Sequence, residues 1–481
     1  MGEFFSGVNS FLEAALFFDI LFGMVEGVKL PFLVVWLISG GIYLTLLTKF
    51  INLRMFKHSF DILRGKYRTV DDVGEISSFG ALTTALSATV GLGNIAGVAL
   101  AVALGGPGAT FWMIVAGFLG MSLKFTEVTL SLQHRVFLKD GTVMGGAMEY
   151  LSRGLAEKGY AKFGKILSLI FAVFMIGGAI GGGNVFQVSQ ALGVVSQEVE
   201  FFDKFPIIFG ILIAVFVGFV IIGGVTRIAK ITEFLVPIMA IIYVSASLWI
   251  LAYHFEKIDD AISIIFHEAF STSALYGGVA GSIVHGFQRA VFSSEAGIGS
   301  SPVAHAPVKT KYPVRQGLVA LYEPFIDTIV ICTMTALVIV ITGVYEHDGA
   351  YMALIEAKEG AALTSAAYGT VISWFPIILS ISITLFAFST IIAWAYYGER
   401  AWVYLFGSTY SIIYKLSFLL LIIIGTVVNT AVLVDFSFML FLTMSLPNIL
   451  GLFILSKDVK RALEEYLVKL KSGELDREAI R

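Results

Sequence analysis

Apolar positions along this chain gather in long runs, and the charged positions fall mostly between them. A helix that crosses a bilayer needs about 20 mostly apolar residues. Runs of that kind occur eleven times, at roughly 29–50, 76–104, 108–134, 163–190, 205–224, 228–253, 274–302, 316–342, 366–397, 411–430 and 434–456. The pattern predicts an all-α polytopic membrane protein with about eleven transmembrane helices. Residues 457–481 mix charges without a long apolar face and read as a short solvated helix or tail.

Lys and Arg orient the spans, because cytoplasmic loops carry them in excess. Of the 32 cations, 25 fall on one side of the alternating loops and four on the other: Lys29, Lys204, Lys257 and Lys358. Lys124, Lys165 and Arg289 lie inside runs. This split predicts an external N-terminus and a cytoplasmic C-terminus in the plasma membrane. The four-cation side is acidic, with Glu198, Glu200 and Asp203, then Glu256, Asp259 and Asp260, then Glu346, Asp348, Glu356 and Glu359. These read as solvated loop ends, or as attractors of external cations.

Composition narrows the class. Apolar residues are 57% and charged residues 14%, against roughly 45–50% and 25% in soluble domains. A net charge of −3 offers no basic surface, so no nucleic-acid partner is expected. The 49 glycines and 41 phenylalanines suit closely packed membrane helices. Cys332 alone permits no internal disulfide and no thiolate metal cluster. Glu3, Glu13, Asp19 and Glu26, with no basic segment before a short apolar stretch, argue against a cleaved signal peptide.

An internal repeat is visible. Ala88-Thr89-Val90-Gly91-Leu92-Gly93-Asn94 resembles Ser294-Glu295-Ala296-Gly297-Ile298-Gly299-Ser300, with glycines 206 residues apart. The same shift carries the second to sixth runs nearly onto the seventh to eleventh. Five helices per unit is odd, so the second unit enters the membrane inverted, the architecture of many secondary transporters. The chain then divides into 1–75 with a peripheral helix, a first repeat at 76–253, a second at 274–456, and a cytoplasmic tail at 457–481. The ten repeated spans are numbered core helices one to ten.

Gly91 and Gly93 in core helix one, and Gly297 and Gly299 in core helix six, are candidate helix breaks at matching repeat positions. Such interruptions point to a transporter's binding site, since a break offers amides to a carboxylate and carbonyls to Na⁺. Close helix packing through small residues is the other reading. Core helix three carries Gly177-Gly178-Ala179-Ile180-Gly181-Gly182-Gly183 followed by Asn184 and Gln187 on one face. The glycines clear a surface beside which Gln187 either contacts ligand or bonds a neighbouring helix. In core helix eight, Ser389 and Thr390 offer hydroxyls of the kind hard cations accept, or bond back to their own helix. Trp394 lies one turn beyond Thr390 and could close over a small ligand, fill the core or face lipid. Arg289 and Glu295 are an ionisable pair in core helix six, where intramembrane charge marks function or simply pairs. No metalloenzyme His pair, nucleophile elbow or phosphate-binding loop is present, so an enzyme is not indicated and no cofactor is expected.

Several stretches together resemble the alanine or glycine:cation symporter family, also called the sodium:alanine symporter family, which has the leucine-transporter-type fold. They are 85–97, 105–113, 292–300, 313–317 and 396–400. Ser294 and Ile114 depart from the family's usual Asn and Trp. The resemblance implies Na⁺-coupled, or H⁺-coupled, uptake of small neutral amino acids such as alanine and glycine by alternating access. It implies substrate contacts at Asn94, the Gly182 backbone, Gln187, Thr390 and Trp394. Na⁺ is expected at carbonyls near Ser87 and Val90 and at the hydroxyls of Ser389 and Thr390, so Thr390 could serve either ligand. A monomer in the lipid bilayer is expected. A channel should instead show polar rings along a pore, and a receptor should carry a soluble output domain.

Overall fold

Helix ends follow local chemistry. Pro206, Pro313 and Pro376 stand in the first turns of their helices, where a missing N–H leaves nothing unsatisfied. Ser77 caps the helix Ser78–Thr89 by accepting the Gly80 N–H at 2.9 Å. The computed structural model describes residues 14, 16–20, 22, 30–138, 141–271, 278–347, 349–427 and 439–479. Positions 29, 274–277, 428–430 and 434–438 of the apolar runs lie outside the described residues, as do Glu3, Glu13, Glu26, Lys139, Asp348 and Arg481.

The protein is mostly helical. Six described helices are long and apolar enough to cross a membrane: Ala109–Gln133, Ala161–Glu198, Gly224–Tyr253, Pro313–Thr342, Phe375–Phe406 and Met439–Lys471. The pair Ser78–Thr89 and Gly93–Gly105, bent by 48°, makes a seventh when taken as one span. Phe32–Leu47, Pro206–Ile221 and Ser408–Ile424 are apolar but shorter, and Gly278–Ser294 follows an undescribed segment. In chain order these elements fall on the apolar runs. Core helices one to ten are the bent pair, Ala109–Gln133, Ala161–Glu198, Pro206–Ile221, Gly224–Tyr253, Gly278–Ser294, Pro313–Thr342, Phe375–Phe406, Ser408–Ile424 and Met439–Lys471.

Two stretches differ from the sequence reading. The run at 366–397 is divided between a separate helix, Gly360–Gly369, and core helix eight, which continues to Phe406. Pro376 sets the later start, and the charges past 397 are satisfied, since Glu399 bonds Ser411 at 2.6 Å and pairs with Lys415 at 3.2 Å. The segment 457–481 is less solvated than expected. Core helix ten runs through it to Lys471 and buries Val459, Leu463 and Tyr466, a stripe at helical spacing too sparse to stand out among the charges.

The basic segments meet at one end of the bundle. The Arg135 guanidinium donates to the carbonyls of Val73, Ala306, Val308 and Thr310, and Tyr312 and Lys311 hold Glu478 near the C-terminus. At the other end Trp112 donates to Ala269, and Thr364 of helix Gly360–Gly369 bonds the Ile95 carbonyl. That helix lies directly on core helix one, where any side chain at Gly360 would strike the Ala96 carbonyl.

Candidate functional site

Core helix one stops at Thr89, passes through extended Val90 (φ −75°, ψ 91°) and resumes as a wide turn over Gly93–Gly97. In an intact helix the Ser87 carbonyl would accept from the Gly91 N–H. Here each has a side-chain partner instead. The Gly91 N–H donates to Asn94 Oδ1 at 2.8 Å, and the Ser87 carbonyl accepts Thr390 Oγ1 at 2.9 Å. Gln187 arrives from core helix three, its Nε2 donating to the Gly182 carbonyl at 2.9 Å. Its Oε1 is buried without a hydrogen-bond partner. A methyl at Gly91 would lie 3.9 Å from that oxygen and would collide with the Thr390 hydroxyl. Gly91, Ser87, Asn94, Thr390, Gln187 and Gly182 therefore converge on one point.

Behind it sits a carboxylate that the sequence reading passed over. Asp327, buried in core helix seven, receives the Asn94 amide at 2.6 Å on one oxygen, and the hydroxyls of Ser293 and Thr328, both at 2.8 Å, on the other. It joins the break in core helix one to core helices six and seven. An acidic residue inside an apolar run is a functional signal by default, and that signal was available at Asp327, Glu323 and Glu127.

Core helix six ends at Ser294, and Glu295, Gly297 and Gly299 then adopt φ of 57°, 87° and 79°. This unwound stretch is held by buried polar groups. Lys124 donates to Ser301 Oγ at 2.6 Å and pairs with Glu323 at 3.0 Å, and Glu323 contacts His305. Asn448 donates to Glu127 at 2.6 Å and to the Gly297 carbonyl at 2.9 Å. Glu295 accepts the Trp394 indole N–H at 2.9 Å and the Ser300 hydroxyl.

Other expected contributors are placed differently. Ser389 bonds back to the Phe386 carbonyl at 2.9 Å, so the two neighbouring hydroxyls of core helix eight have different partners. Val90 lies in the break itself. Trp394 is 1% exposed, which removes the lipid-facing reading. The face cleared by the glycines of core helix three is filled by protein: a methyl at Gly182 would overlap the Phe441 ring, and one at Gly183 would overlap Trp394. Large rings, rather than open space, use the room the glycines leave. Asn184 turns away from Gln187 to donate to the Phe418 carbonyl at 2.7 Å, because Gly181–Val185 is a wide turn that breaks the expected helical register.

The model of the sodium:alanine symporter family matches residues 16–480. The chain belongs to the sodium:alanine symporter family. This symporter is 39% identical over 427 residues to the sodium/alanine symporter AgcS of Methanococcus maripaludis, covering 89% of this chain and 92% of that one. It is 34% identical to the probable sodium/glutamine symporter GlnT of Bacillus subtilis, covering 92% and 89%. Its fold is similar to the crystal structure of MhsT in complex with L-phenylalanine, with a TM-score of 0.52, 16% identity and coverage of 79% and 90%. The protein is a multi-pass membrane transporter of a sodium-coupled amino-acid symporter family, and not an enzyme.

Proposed function

We propose that this chain carries a small neutral amino acid, alanine or glycine first, into the cell together with Na⁺ by alternating access. The observation that carries the reading is the buried, unpartnered Gln187 Oε1 facing the break in core helix one, beside the contact between Thr390 and Ser87. An amino-acid ammonium would satisfy that oxygen, with the Gly182 carbonyl beside it. The carboxylate would meet the amides that open the second half of core helix one, where the helix dipole favours negative charge. Asn94 would orient those amides, and Trp394 would bound the side chain. Na⁺ would take the carbonyls of Ser87 and Val90 and the Thr390 hydroxyl, with Ser389 joining when it leaves Phe386.

The remaining architecture follows the same reading. Ten spans form two inverted repeats, 76–253 and 274–456, and the eleventh is a peripheral helix. The N-terminus is outside and the C-terminus cytoplasmic, and the monomer suffices. A cavity of about 420 Å³ at the acidic end is lined by Ser189, Gly193, Gln197, Asp203 and Glu359, on the helix face opposite to Gln187. Radiolabelled alanine uptake into proteoliposomes tests the proposal, with a Na⁺ gradient, a proton gradient or neither. Uptake that follows Na⁺ alone is expected, with glycine competing and glutamine included as a rival substrate. Equal uptake on a proton gradient in Na⁺-free buffer would sink the Na⁺ assignment.

A further inference from the structure

Glu295 occupies a position its backbone does not favour. Its φ of 57° lies in the left-handed region, which suits Gly or Asn and strains most other residues. The two other left-handed positions in the same break, at 297 and 299, are glycines. A buried carboxylate held there against backbone preference is there for its side chain. Both oxygens are engaged, one by the Trp394 indole N–H at 2.9 Å and the other by the Ser300 hydroxyl.

Among the described residues, the other contacts of Trp394 are apolar surfaces. Its ring lies 4.5 Å from that of Phe441 and 5.2 Å from that of Tyr397, centroid to centroid, and it rests against Gly183. Such contacts fill space, whereas a hydrogen bond also aims the indole N–H at its acceptor. We propose that Glu295 is a positioning residue for substrate selectivity, tethering the Trp394 indole so that the pocket admits only small side chains. This rests on the proposed site at the break in core helix one. It also ties the size limit to the unwound part of core helix six, so a rearrangement of that segment moves the wall of the pocket.

The test is competition of glycine, alanine, valine and leucine against labelled alanine in Na⁺, on purified protein. Glu295→Ala should raise the affinity of leucine relative to alanine at least tenfold. Glu295→Gln, which keeps an oxygen acceptor for the indole, should stay within about threefold of the wild-type ratio. Replacing Trp394 with benzothienylalanine, which keeps the ring shape and lacks the N–H, should reproduce the loosened ratio. That arm decides the matter if Glu295→Ala does not fold. A wild-type ranking in Glu295→Ala, or in the benzothienylalanine protein, overturns the tether. Failure of the wild-type protein to bind alanine at all would instead remove the site reading on which the tether rests.

Discussion

Thr390→Val keeps the branched shape and deletes one hydroxyl from the contact with the Ser87 carbonyl. Two effects compete. Without Na⁺, the buried carbonyl loses its partner, which costs from about 0.6 kcal/mol, the average interhelical hydrogen bond in a membrane, to about 3 kcal/mol for a stranded polar group. With Na⁺, the ion satisfies the carbonyl but lacks one ligand. Contacts to charged groups are worth about 1.5–3 kcal/mol against 0.5–1.5 for neutral ones. Where the free-state loss is that of an ordinary neutral hydrogen bond, the bound state loses more by about 1–1.5 kcal/mol, and Na⁺ affinity should fall roughly five- to twelvefold. Thr390→Ser keeps the hydroxyl and should remain near wild type.

Thermal unfolding in detergent, titrated with NaCl against choline chloride, reads both effects. The expected result for Thr390→Val is a lower midpoint without Na⁺ and a weaker Na⁺ response. A half-saturating Na⁺ concentration within twofold of wild type would refute Thr390 as a cation ligand. An unchanged midpoint in Na⁺-free buffer would show that the Ser87 contact contributes nothing to the resting state.

Asn94→Ala should both unfold at lower temperature and lose alanine binding, since it strands the Gly91 N–H and an oxygen of Asp327, at about 1–3 kcal/mol each. Gln187→Ala removes one bond, to the Gly182 carbonyl, and its Oε1 has no partner to strand, so it should lose alanine affinity with a smaller change in midpoint than Asn94→Ala, and equal loss of stability in both variants would reverse that assignment. Lys124→Met fills the same space but leaves Glu323 buried without its cation in a pair that is 0% exposed on both sides, and should cost about 3–5 kcal/mol. Adding Glu323→Gln should recover part of that loss, and a double variant less stable than the single would mean the pair is not the main partner of either group.

Much of the fold was legible because a bilayer imposes length on apolar runs, and the described spans fall on them. Boundaries went astray where the determinant is not hydrophobicity. Pro376 moved one helix start by ring geometry, and Val459, Leu463 and Tyr466 buried a stripe within a charged segment. The Gly-x-Gly stretches drew attention to 91 and 297, and Gln187 and Thr390 stood out as polar residues inside apolar helices. What the sequence could not give is which partner each took. Ser389 and Thr390 are adjacent and chemically alike, yet one bonds its own helix and the other bonds core helix one. The glycines at 182 and 183 announced a close approach, but only packing decides that Phe441 and Trp394 make it. Asp327 and Glu295 were present as letters, and their meaning depends on neighbours far away in the chain.

The break in core helix one also bears on coupling. Among the groups it frees are the Ser87 carbonyl and the Gly91 amide, and an orphan of either kind at this depth would be costly. Side chains take both, with Thr390 coming from another helix and Asn94 from three residues onward. A substitute partner worth about 1 kcal/mol keeps the resting state intact yet yields to an ion, whereas an intact helical bond would not be available at all. On the proposed reading, Na⁺ separates Thr390 from Ser87 and so acts on the contact between core helices one and eight. That exchange, at about 1–1.5 kcal/mol, falls well short of the roughly 5.5 kcal/mol needed to turn a 1:99 equilibrium into 99:1. The rest must come from the amino acid, through groups such as Gln187 Oε1 that gain a partner without giving one up. On that reading neither ligand alone would supply the difference between states, and that shared requirement would make the transport coupled rather than two separate leaks.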